Sequence, residues 1–132
     1  MSYNSSLQMY VANNTGGNAV FAFSHRYGDD SPAVWQSTAP VAPGALAGPL
    51  NVGFNTGFGR TELDYWYCQA TVKDGPAPGT YATEGSLQAP TRECACHSAD
   101  DGMVYHFPFS TRSFVMPLLS GPCQAGVRNV AG

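Results

Sequence analysis

Lysine is nearly absent from this chain: Lys73 is the only one, and charged residues make up 11% of the 132 positions. The net charge of -3 and an isoelectric point near 5.4 provide no basic stripe. Nucleic-acid binding would therefore lack the electrostatic term that normally supplies its non-specific affinity, and that class of partner is set aside. No run of about 18 apolar residues occurs, so there is no candidate transmembrane helix. The opening "MSYNSSLQMY" has no positively charged start followed by an apolar block, and no secretory leader is expected from it. Apolar residues do not recur at helical spacing beyond a turn or two, and no internal repeat or heptad is present. Little helix is expected.

In place of these features stand 15 glycines, 10 prolines and 12% aromatic residues, a balance that favours short strands joined by tight turns. Leu7, Met9 and Val11 alternate along residues 6–12 as one face of a first strand. "NNTGGN" then turns the chain into "AVFAFSH", which is apolar on both faces and reads as a central strand. "TAPVAPGALAGP" has too many prolines and glycines for a sheet interior and reads as a surface or edge connection before "LNVGF". "TRECACH" is expected to form a hairpin with "MVYHFPF" across "SADDG". With turn signals every eight to twelve residues, residues 1–132 read as one all-β domain: a single-domain antiparallel β-sandwich of about nine short strands, or alternatively a small β-barrel.

Cys68, Cys94, Cys96 and Cys123 permit three pairings if all are oxidised. A direct Cys94–Cys96 bridge would be strained, so Cys68 is expected to pair with one of the two and Cys123 with the other. Such bridges favour a secreted, extracellular setting; reduced, buried thiols would instead fit a cytoplasmic protein. A metal site made from "CACH" is disfavoured, because a strand turns His97 away from both sulfurs; neither a metal nor another cofactor is expected. The acidic turns "GDDSP" and "SADDG" offer Asp29, Asp30, Asp100 and Asp101, which either cap turns or supply oxygens for calcium. Asn4-Ser5-Ser6 and Asn13-Asn14-Thr15 satisfy the N-glycosylation rule.

The stretch "RTELDYWYCQATVKDG", residues 60–75, carries the functional expectation. As a strand it turns Asp64, Trp66, Cys68, Ala70 and Val72 inward, leaving Tyr65 and Tyr67 outward beside Gln69, Thr71 and Lys73. Asp64 at the inner rim needs a partner, for which Arg60 and the amides of "NTGFGR" are the nearest candidates. Two outward phenols would give apolar plates tipped with hydroxyls, suited to a sugar ring. Asn55, Thr56, Arg60 and Asp64 would add donors and acceptors for its hydroxyl groups.

A catalytic role finds little support. No Gly-x-Ser-x-Gly motif occurs, and Glu62 and Asp64, two apart on one strand, would flank the same side of a substrate. The expected function is non-enzymatic, lectin-like glycan binding through Asn55, Thr56, Arg60, Asp64, Tyr65 and Tyr67. One alternative is binding of lipid headgroups, or cytolysis, with Trp35 and Phe58 as interfacial anchors. Another is a structural homodimer that buries the tyrosines between subunits.

Overall fold

The computed structural model describes residues 3–57 and 62–132. Eleven strands follow one another along these residues: β1 (Ser5–Asn13), β2 (Ala19–Tyr27), β3 (Ala33–Gln36), β4 (Leu46–Phe54) and β5 (Asp64–Val72) come first. Then come β6 (Gly79–Ala82), β7 (Arg92–Glu93), β8 (Val104–Phe109), β9 (Ser113–Met116), β10 (Cys123–Gly126) and β11 (Arg128–Ala131). One sheet has the order β10-β9-β8-β1-β4; the other runs β11-β6-β5-β2-β3, with β7 also pairing with β5. The two sheets pack face to face as a β-sandwich and do not close into a barrel. No helix among the described residues is long and apolar enough to cross a membrane.

The period-two pattern determines what is buried. Leu7, Met9 and Val11 of β1 are buried while Ser6 and Gln8 are exposed. Phe21 and Phe23 of β2 join Trp66, Cys68, Ala70 and Val72 of β5 as the opposing inner face. Aromatic rings hold the layers together: Trp66 meets Phe107 edge-on at 5.7 Å between ring centres, and Phe21 meets Phe109 at the same distance. Each such ring contributes about 2–3 kcal/mol by leaving water, and the edge-on contacts add about 0.5–1.5 kcal/mol. The inward set assigned to β5 is therefore the one observed.

Three features depart from the sequence reading. The sandwich is not wholly antiparallel, because β1 pairs parallel with β8 (Gln8 opposite Val104 through Asn13 opposite Phe109). The "TRECACH" hairpin does not form: β7 joins β5 in one sheet while β8 belongs to the other. Between them lies a short 3₁₀ turn, Ser98–Asp100, in which the Asp100 carboxylate accepts the His97 N–H at 3.0 Å. That capping bond sends the chain across the sandwich where Asp-Gly had suggested a simple reversal. Lastly, β4 begins at Leu46 and runs through Gly48 and Pro49, opposite β1 and at the sheet edge. The edge position accommodates the missing proline donor. Gly48 has φ of +126°, and a side chain there would meet the Met9 carbonyl oxygen at 2.9 Å, so the bulge between Met9 and Val11 depends on glycine.

Candidate functional site

Near the start of β5, three buried polar side chains meet. His25 on the inner face of β2 lies diagonally across from Asp64 on β5, since the register pairs His25 with Trp66 and Tyr27 with Asp64. The His25 Nε2 to Asp64 Oδ1 distance is 2.6 Å, and a charged carboxylate oxygen can only accept, so Nε2 donates. The other carboxylate oxygen, Oδ2, accepts the Cys96 N–H at 2.8 Å, and the Asp64 carbonyl accepts the Cys94 N–H at 2.9 Å. Trp66 covers the imidazole with ring centres 4.6 Å apart and donates its own N–H to the Cys94 carbonyl at 2.8 Å. Asp64 thus fastens the 94–96 segment to the sandwich by side chain and backbone together. Burial pushes the Cys96 thiol far above its ordinary value, with the Asp64 and Asp100 carboxylates adding to the shift.

Above this cluster a cleft of about 550 Å³ opens to solvent. Its described lining comes from Asn55, Thr56 and Gly57 after β4, Glu62 and Leu63 before β5, and the 95–98 segment, including Cys96, His97 and Ser98. The cleft rim is held by Asn4. The Asn4 N–H donates to Asn55 Oδ1 at 2.9 Å, its amide nitrogen donates to the Thr56 carbonyl at 2.8 Å, and its Oδ1 accepts the Thr56 N–H at 2.9 Å. Glu62, His97 and Ser98 are exposed.

Asn55, Thr56 and Asp64 therefore meet at one end of the sandwich, the first two on the cleft rim and the third beneath it. Arg60 and Phe58 lie outside the described residues. The outward pair of phenols is corrected. Tyr67 is 5% exposed and donates to Gln69 Oε1 at 2.8 Å. Tyr65 is half-buried beneath the Arg26 guanidinium, 4.3 Å from its ring centre. Neither offers an open plate. Trp35 is likewise half-buried, stacked on Phe23 with ring centres 5.0 Å apart, so its ring is largely committed to the protein.

Of the two expected bridges, the one from Cys123 is present and the one from Cys68 is not. Cys94 bonds to Cys123 with Cα atoms 6.3 Å apart, while Cys68 and Cys96 are buried thiols. Cys68 sits at 0% exposure within the apolar inner face, where burial raises its thiol well above the ordinary value. Asn13 is 1% exposed with its amide donating to the Gly17 and Val41 carbonyls, which closes it to a glycan.

The four turn aspartates each have a protein partner. Asp29 stands 3.8 Å from Arg26, Asp30 accepts from the Tyr3 hydroxyl, and Asp101 accepts the Ser6 N–H. Asp100 accepts from Tyr105 and Ser120. Burial alone would raise the Asp100 carboxyl, but the His97 N–H and the Ser120 and Tyr105 hydroxyls outweigh it and hold the group below its ordinary value of 3.8.

Sequence reasoning did not bring His25, Cys96, His97 or Ser98 to Asp64, and it weighed Glu62 only as a catalytic partner of Asp64. "CACH" had marked part of this region, but His25 comes from a strand 39 residues away from Asp64, and no spacing rule links the two. No protein-family profile and no curated protein matches this chain.

Proposed function

We propose that this protein is a non-enzymatic recognition module that binds a glycan in the cleft between residues 55–57, 62–63 and 95–98. The observation that carries the reading is the lining of that cleft: the polar side chains of Asn55, Thr56, Glu62, His97 and Ser98 stand beside Gly57, Leu63, Ala95 and Cys96 around about 550 Å³. This volume falls within the ~300–1,000 Å³ typical of small-ligand sites. A saccharide needs hydrogen-bond donors and acceptors for its hydroxyls together with an apolar contact for one ring face. Glu62 is an acceptor, the Asn55 amide nitrogen is a donor, and Ser98 and Thr56 serve as either. Leu63, 37% exposed, supplies the apolar contact that the tyrosines do not. The Asn4 clamp and the Asp64 anchor fix both walls before binding, which lowers the ordering cost on association. The Cys94–Cys123 bridge supports a secreted protein, since such bonds persist in oxidising compartments.

Glycan-array screening followed by calorimetry on the best saccharide tests the reading. Glu62→Ala and His97→Ala, both at exposed positions, are expected to weaken binding at least about tenfold, or ~1.4 kcal/mol, with an unchanged melting temperature. Absence of any saccharide signal at high protein concentration, or equal binding by both variants and wild type, would overturn it.

A further inference from the structure

His25, Asp64 and Cys96 carry an implication beyond saccharide binding. Each offers one potential ligand atom, and the three atoms lie within 4.8 Å of one another; all three residues are buried. Among the described residues no other group of three such side chains comes together in this way. An imidazole nitrogen, a carboxylate oxygen and a thiol sulfur form the mixed donor set that suits zinc, and calcium or magnesium would require oxygens throughout.

We propose that His25 Nε2, Asp64 Oδ1 and Cys96 Sγ form a binding site for a zinc-type divalent cation, with water from the overlying cleft as fourth ligand. The adjustment required between His25 and Asp64 is small. In a tetrahedral site, ligand atoms about 2.0 Å from the metal stand about 3.3 Å apart, so the 2.6 Å contact between His25 and Asp64 opens by well under an ångström. Asp64 Oδ2 keeps the Cys96 N–H, which leaves Oδ1 to bind the metal and holds the carboxylate in orientation. The Trp66 ring over His25 fixes the imidazole plane. Cys96 also lines the cleft, giving the ion an entry path and a place for water.

The protons balance simply. The Nε2 proton moves to Nδ1 as the metal takes Nε2, and the thiol proton of Cys96 passes to solvent, leaving a thiolate bound to the cation. Nothing in this site depends on saccharide binding. Loss of one activity with retention of the other separates the two proposals.

Cobalt(II) titration of the chelator-treated full chain, with its disulfide intact, provides the test. One equivalent is expected to produce a thiolate-to-cobalt charge-transfer band that one equivalent of zinc abolishes and excess calcium or magnesium does not. The band should be lost in Cys96→Ser and retained in Cys68→Ala. Should Cys96→Ser fail to fold, proton NMR of the wild-type cobalt form gives the answer, with hyperfine-shifted signals from one histidine ring and one cysteine expected. No band in the wild type, a band that survives Cys96→Ser, or a cobalt form without a shifted histidine would overturn the assignment.

Discussion

Asp64 is the residue on which the candidate site most depends. Its side chain is at 0% exposure, and both oxygens are engaged, one by His25 and the other by Cys96 N–H. Asp64→Ala is expected to destabilise the protein by about 3–5 kcal/mol, because it removes the carboxylate and leaves an imidazole and a backbone donor buried without a partner. Urea unfolding measures this, and a loss below about 1 kcal/mol would show that the carboxylate is dispensable.

Ser24 presents the opposite case: its buried hydroxyl has no partner among the described residues. Ser24→Ala removes an unsatisfied polar atom and is expected to stabilise by up to about 1 kcal/mol. A clear loss of stability would mean that the hydroxyl is bonded after all.

Asp100 links a single residue to pH. Because its folded value is lowered, its contribution is present above the ordinary carboxylate value of 3.8 and is lost as pH falls through the folded value. The stability gap between wild type and Asp100→Asn should therefore hold steady above about pH 5 and shrink in more acid solution. Urea midpoints at neutral and acid pH measure it; a gap that widens on acidification has the wrong sign.

At the scale of elements, the disulfide is a covalent tie between layers. Cys94 follows β7, which pairs in one sheet, and Cys123 begins β10 in the other. The bridged residues are 29 positions apart, and closing a loop of that size stabilises by about 3.6 kcal/mol. Non-reducing mass analysis should show a loss of two hydrogens, and reductant should lower the melting temperature. A loss of four hydrogens would require Cys68 and Cys96 to be bonded as well.

The strands themselves were legible because alternation along "SLQMYVA" and "DYWYCQATV" states which side chains face inward. Their partners were less so. The parallel pairing of β1 with β8 joins segments about a hundred residues apart, and nothing local in either strand specifies it. Tyr67 was misplaced for a related reason. Alternation assigned it correctly to the face opposite Trp66, but the exposure of a single residue on that face depends on its neighbours, and Tyr67 is 5% exposed while Tyr65, Gln69 and Thr71 are half-buried. Asn55, Thr56 and Asp64 were found from their nearness in sequence. His25, His97 and Ser98 needed the fold to bring them in.

For the whole molecule, the sandwich supplies a rigid frame whose one end gathers loops from both sheets. Polar groups can collect there without disturbing the apolar layer between the sheets, where Trp66, Phe107 and Phe109 are at 0% exposure. Asn4 clamps one side of the cleft and Asp64 the other, so recognition is expected to require little rearrangement. Tyr67→Ala separates structural from binding roles. With its ring covered on the outer face of its sheet, it should lower the melting temperature by several degrees and leave saccharide affinity close to wild type at temperatures where the variant is folded.

Calorimetric titration of wild type and Glu62→Ala with the saccharide selected by array screening tests the cleft most directly. Saturable one-to-one binding by wild type, weakened at least about tenfold in the equally stable Glu62→Ala protein, is the expected result. Undiminished binding by Glu62→Ala and His97→Ala, or no binding by wild type, would contradict the assignment of this cleft as a glycan site.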